Sequence, residues 1–324
     1  MSTEGSNRAI VAALAANLGI AVTKFAAYLL TQSSSMLAES IHSLADSGNQ
    51  VLLLVGGRQA NRPATEDHPF GFGRSRYLYA FIVSVVLFSV GGLFALYEAY
   101  HKWHDPHGID AWQWVPVVVL VAAIAMESYS FRTAIVEANH VRAGKSWWRF
   151  IRETKSPELP VVLLEDSAAL VGLVFALFGV VMTLITGDGH WDAVGTAMIG
   201  ILLVAVAALL ALETSSLLLG EGVAEEDLAA IKAALVGPGV GSVIHIRTMY
   251  VGPEEVMVAA KIAVSPCESA REVADAIDAA EVRIRAAVPL ARLIFLEPDI
   301  ARGSVPEKAL GGEVGSTPEN QPRS

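Results

Sequence analysis

Over the first two thirds of the chain, long apolar stretches alternate with short polar ones. Six stretches are long enough to matter: Ile10–Leu30, Met36–Gln59, Leu78–Tyr100, Trp112–Ile135, Pro160–Thr186 and Trp191–Leu219. A helix that crosses a bilayer needs roughly 20 mostly apolar residues, so each predicts a membrane span. Phe81–Ala95 contains no charged residue at all. The first two spans are separated only by Thr31–Ser35 (TQSSS), a tight polar hairpin. Beyond Gly220 the period changes. Glu225–Val236 has a helical pattern with acidic residues in its first turn, which suits the helix dipole. Ser242–Tyr250 and Val256–Val264 read as strands joined by a turn at Gly252-Pro253. Ser269–Val288 is a second amphipathic helix and Arg292–Leu296 a third strand.

The fold class expected is therefore an α-helical membrane protein. A six-helix transmembrane bundle over residues 9–220 is followed by a small α+β domain over residues 221–300, with the αββαβ order of a ferredoxin-like sheet. Residues 1–8 form an N-terminal tail. Residues 301–324 are rich in Gly, Pro and Ser and are expected to be a disordered tail. Charge follows the same boundary: residues 1–220 hold 30 charged side chains and residues 221–324 hold 26, about one residue in seven against one in four. With 53% hydrophobic residues and a net charge of −10, the chain is neither disordered nor a nucleic-acid binder. The polar, mixed-charge start MSTEGSNR gives no expectation of a removable signal peptide. The single cysteine, Cys267, rules out a disulfide framework and a multi-thiolate metal site.

Basic residues set the orientation. Arg58, Arg62, Arg74 and Arg76 follow span two, and Arg142, Lys145, Arg149, Arg152 and Lys155 follow span four. The opposite connections hold only Lys102. The positive-inside rule then places both termini and the α+β domain in the cytoplasm.

Ionisable residues inside spans are costly and usually line a functional cavity. Span two carries Glu39, His42, Ser43 and Asp46, with His42 and Asp46 one turn apart on one face. Asp46, ten residues past Met36, is about 15 Å deep at the helical rise. Span five carries Glu165 and Asp166, which point ~100° apart, so only one can readily face a shared site. Imidazole with carboxylates suits a borderline divalent ion such as Zn²⁺, with Mn²⁺ or Fe²⁺ also compatible. In span four, Glu127 and Arg132 are expected to neutralise each other, and Lys24 in span one to snorkel toward an interface.

Four stretches, in this order, resemble the cation diffusion facilitator family: SSSMLAESIHSLADSGNQ, EDHPFGFGR, LLEDSAALVGL and LLLGEGVAEEDL. The resemblance implies no enzyme and no cofactor. It implies a homodimeric exporter that moves a divalent metal, commonly zinc, out of the cytoplasm against proton entry. Its partners would be the metal, the proton and the lipid bilayer, and the short, compact chain leads to the expectation of a bacterial inner membrane. The family's transport site pairs His or Asp at i,i+4 on spans two and five. His42, Asp46 and Asp166 match, but Val162 stands at the fourth position, so four-coordination needs Glu165, Glu39 or water, with Glu165 the first candidate. Such a carboxylate-rich site is expected to be less strict against Mn²⁺, Fe²⁺ or Co²⁺. The resemblance also places weaker metal positions at His68 in the loop, where Phe72 stands in for a second histidine, and at His245 and Glu297. Ala260 and Phe295 occupy the companion positions of that last pair. Arg74 is expected to pair with Glu221. A membrane-anchored metal sensor or scaffold is the reading from another class, and it requires a full ligand set in residues 221–300. An intramembrane His-Glu protease is remote, since no H-E-x-x-H motif occurs.

Overall fold

The computed structural model describes residues 3–31, 34–106, 114–142, 144–265 and 269–301. In the first two helices, the side chains of residues 3–9, 12, 13, 16, 27, 28, 30, 31, 34–39, 41 and 42 lie outside the described set. So do Cys267 and the expected tail from residue 302 onward. The chain divides into two compact units, Met1–Glu221 with Tyr250–Glu255, and Gly222–Met249 with Val256–Ser324.

The first unit is helical. It contains α1 (Thr3–Thr31), α2 (Ser34–Ala60), α3 (Ser75–Val86), α4 (Phe94–His104), α5 (Trp114–Arg142), the short α6 (Trp147–Glu153), α7 (Glu158–Thr186) and α8 (His190–Leu219). A π-helical turn, Leu87–Leu93, joins α3 to α4 in one rod. Among the described residues, four helices are long and apolar enough to cross a membrane: Ser75–His104, Trp114–Arg142, Glu158–Thr186 and His190–Leu219. Neighbouring helices close a ring, in which α1 packs on α2, α2 on α3, the α3–α4 rod on α8, α8 on α7, α7 on α5, and α5 back on α1. Electrostatic ties fasten both ends. Arg76 on α3 meets Glu158 on α7 at 3.3 Å, and Lys102 on α4 meets Asp192 on α8 at 2.9 Å. Glu221, expected to pair with Arg74, is held by Lys155.

Small residues decide how closely α7 and α8 approach, as they must where lipid offers no hydrophobic drive. A Cβ on Gly195 would lie 2.7 Å from the Phe175 carbonyl oxygen and 3.2 Å from the Gly179 Cα. Backbone cannot yield as a side chain can. Gly195→Ala should therefore cost about 1–3 kcal/mol. Gly57→Ala on α2 meets nothing within 4 Å and should be neutral or stabilising by about 0.5–1 kcal/mol. Thermal unfolding of the two purified variants checks the contrast.

The second unit has α9 (Glu225–Leu235), β1 (Ser242–Gly252), β2 (Glu255–Ala263), α10 (Ala270–Ala287) and β3 (Ala291–Asp299), so the αββαβ order is present. The sheet order is β1-β2-β3, with β2 and β3 parallel. Along β2, Val256, Val258, Ala260 and Ile262 are buried on one face, and Ile231, Leu235, Ala280 and Ile284 complete that core from α9 and α10. Ser269 begins α10 with a capping box: its hydroxyl accepts from the Glu272 N–H, and the Ser269 N–H donates to the Glu272 carboxylate. Arg283 reaches from α10 to the Ala234 and Leu235 carbonyls, satisfying the open end of α9.

Candidate functional site

The polar residues of α2 fall at helical spacing. Ser43, Asp46, Ser47 and Gln50 form one buried stripe, with Asn49 beside it. Opposite them, α7 buries Glu165 and Asp166, α5 buries Glu127 and Ser130, and α1 buries Asn17 and Lys24. Exposure falls to 7% for Asp46, 3% for Lys24, 1% for Glu127 and zero for Asp166. Asp46, Glu127, Glu165 and Asp166 stand within electrostatic reach of one another. Four carboxyl groups so enclosed among helices are a concentration of cation affinity that packing alone does not need.

The four are not equivalent. Glu165 has both oxygens engaged: Oε1 accepts from Asn49 Nδ2 at 3.0 Å and Oε2 from Gln50 Nε2 at 2.7 Å. Asp166 accepts from Ser130 Oγ at 2.9 Å through Oδ2, while its Oδ1 is buried with no hydrogen-bond partner. Glu127 Oε1 is likewise buried without a partner. A buried acceptor left open is a ready place for a cation or proton donor. A cavity of about 40 Å³ opens here, lined by Asn17, Lys24, Ser43, Asp46 and Glu127 with apolar residues of α7 and α8. That volume holds a few waters or a small ion.

Two expectations are corrected at this point. Lys24 does not snorkel; its Nζ donates to Ser43 Oγ at 3.1 Å inside the bundle. Glu127 does not neutralise Arg132. Five residues along a helix turn the pair well apart, so Arg132 is exposed while Glu127 faces the cavity. Val162, one turn before Asp166, is fully buried in the apolar core and offers only methyl groups. His42 sits on α2 one turn before Asp46, but its side chain lies outside the described residues. Among the described residues, no three His, Cys, Asp or Glu side chains converge closely enough to cage a metal.

The remaining sequence candidates stand apart. His68 is exposed in a turn closed on Thr65, and its ring stacks on Phe72 at 4.5 Å between centroids. Arg62 lies over the same Phe72 ring. His245 is exposed on β1 and Glu297 lies on β3, with β2 between them. Two strand spacings separate such strands by about 10 Å. Lys261 Nζ holds Glu297 at 3.0 Å and Asp299 at 3.2 Å, and these hydrogen bonds raise the lysine above its usual range.

A family model for the cation efflux transmembrane domain matches residues 10–219, nearly the whole helical unit and every residue of the cavity. The chain belongs to the cation efflux, or cation diffusion facilitator, family. This is a family of divalent metal transporters and not of enzymes. The chain is similar to the human protein described as a mitochondrial proton-coupled zinc antiporter, SLC30A9, at 29% identity over 262 residues, 80% of this chain and 46% of that one. It is similar to the magnetosome protein MamM of Magnetospirillum gryphiswaldense at 25% identity, covering 82% of this chain and 80% of the relative. The manganese efflux system protein MneP of Bacillus subtilis is 23% identical, covering 71% and 74%. The chain spans about half the length of the SLC30A9 relatives it matches.

Away from the cavity, just beyond the end of α8, the pairing of Glu221 with Lys155 carries a pH dependence. Burial pushes Glu221 up, but hydrogen bonds from Lys155 and Ser216, with the Lys155 charge, outweigh it and hold the carboxyl below its ordinary value of 4.5. A depressed carboxyl stabilises the folded state above its unfolded value and stops doing so as pH falls through the folded one. Unfolding midpoints should fall on acidification below about pH 4.5 more steeply in the native chain than in Lys155→Met.

Proposed function

We propose that this cation efflux protein exports Zn²⁺ from the cytoplasm in exchange for protons. In this reading it is a homodimer of six-span protomers in a bacterial inner membrane, with both termini cytoplasmic. His42, Asp46 and Asp166 hold the ion. The observation that carries the reading is the enclosed cavity lined by Asp46 and Glu127 on the helices that the family model matches, with Asp166 in electrostatic reach of both and keeping an open oxygen. The lengths of α1 and α2, 29 and 27 residues, support six crossings.

Exchange follows from the chemistry of the donors. A metal binds the deprotonated carboxylate and neutral imidazole, so ion and protons compete for the same atoms. Binding from the cytoplasm releases protons; protons arriving from outside expel the metal. Glu165 then acts as a positioning residue, its carboxylate clamping α7 to α2 through Asn49 and Gln50. His68, His245 and Glu297 take no part in transport in this account. The sensor reading lacks support because Glu297 is held by Lys261 and kept a strand away from His245.

A second reading, export of Mn²⁺, Fe²⁺ or Co²⁺, is favoured by one observation: Val162 withholds a second nitrogen donor, leaving a site rich in oxygen. Transport of competing Zn²⁺ and Mn²⁺ by the purified protein in proteoliposomes separates the two. Zinc should be carried in preference, and Val162→His should widen the preference by about tenfold. Faster Mn²⁺ than Zn²⁺ transport by the native chain would establish the second reading.

A further inference from the structure

A lysine in the middle of an apolar helix ordinarily stretches its stem toward the headgroups. Lys24 does the reverse. It is 97% shielded, its ammonium donates to Ser43 on α2, and it lines the same cavity as Asp46 and Glu127. Asp166 lies within electrostatic reach of that group of charges. The protein therefore places a fixed positive charge where its cargo must go. Burying an ammonium costs several kcal/mol unless nearby charges and hydrogen bonds compensate. The Ser43 hydroxyl and the acidic lining provide that compensation.

We propose that Lys24 is a tethered cation that competes with the transported metal for the acidic cavity. The inference rests on the transport reading above and adds a residue to it. Without the ammonium, a cavity lined by Asp46 and Glu127, with Asp166 in electrostatic reach, would bind a dication tightly and release it slowly. Transport needs a site strong enough to fill and weak enough to empty. The ammonium weakens the site electrostatically, and because it is carried on four flexible methylenes it can withdraw from an entering ion and return behind a leaving one. Ser43 sets where it returns to.

The test uses full-length protein in proteoliposomes and the metal alone, Zn²⁺ and Mn²⁺, as probes. Four variants are compared with the native chain: Lys24→Met, which keeps the stem; Lys24→Gln, which keeps a polar end; Lys24→Arg, which keeps the charge; and Asp46→Ala. Both neutral variants should lower KM by more than about tenfold and also lower kcat, because a unit charge a few ångströms away through an effective dielectric near 20 is worth more than one factor of ten. Titration calorimetry should show the same tightening, and Lys24→Arg should stay near the native values. Unchanged KM and kcat in the neutral variants overturn the proposal, as does a raised KM. If both neutral variants fail to fold while Lys24→Arg is normal, Lys24 is structural and the proposal is overturned. If the native chain moves neither metal, the transport reading itself fails. Transport that Asp46→Ala abolishes and the Lys24 variants leave unaltered sinks only this inference.

Discussion

Replacing Asp46 or Asp166 with alanine is expected to reduce metal transport more than about 100-fold, beyond the loss usual for altering a residue that merely orients a ligand. Each aspartate stands on a different helix, so each removal takes away one side of the ion's coordination. The folded protein should survive both changes. Asp166 is fully enclosed and makes one hydrogen bond, to Ser130, so deleting it also removes a desolvated acid. Asp166→Asn preserves shape and the acceptor for Ser130 while removing charge, and it should be as inactive as Asp166→Ala. Metal flux into proteoliposomes, normalised to protein that elutes as a single species, checks the pair. Wild-type flux in either aspartate variant would remove that residue from the site.

The second large effect concerns Glu165 and is on stability. Glu165→Leu leaves the amide groups of Asn49 and Gln50 buried without an acceptor, where their own carbonyl oxygens already lack partners. Unsatisfied buried groups cost about 1–3 kcal/mol each, so a loss of about 3 kcal/mol or more is expected. Glu165→Gln behaves differently. Its NH₂ needs an acceptor, and either neighbouring amide can supply one by turning over, since Asn49 Oδ1 and Gln50 Oε1 are both available. That variant should fold nearly as well as the native chain and retain transport within about tenfold. A metal ligand would differ in transport alone, with Glu165→Gln equally stable but as inactive as Asp166→Asn. Thermal unfolding and flux on the same preparations separate the two roles.

Much of the architecture was legible because apolar length and period are strong signals. The described helices cover five of the six predicted stretches and the remaining one, Trp112–Ile135, from Trp114 onward, and the αββαβ order is present. Asp46, Glu165 and Asp166 were visible as charges where lipid should exclude them. What each does was not. Glu165 and Asp166 are adjacent in sequence, and only the partners brought by α2 and α5 distinguish a clamped carboxylate from one with an open oxygen. Lys24 and Glu127 were misread for a related reason. Local rules favour snorkelling for one and a helical charge pair for the other, but both side chains answer to a cavity assembled from distant helices. The run Ser47–Gln50, continuing the polar stripe past Asp46, was the one local sign of that interior.

In the proposed function a divalent metal and protons exchange at Asp46 and Asp166, which lie in electrostatic reach of each other. Recording Zn²⁺ entry and internal pH together in proteoliposomes tests this most directly, using the native chain and Asp46→Asn/Asp166→Asn side by side. The native protein should move zinc and protons in opposite directions with linked rates, and the double variant should move neither. Zinc flux that leaves internal pH unaltered, or coupled flux that persists in the double variant, would contradict it.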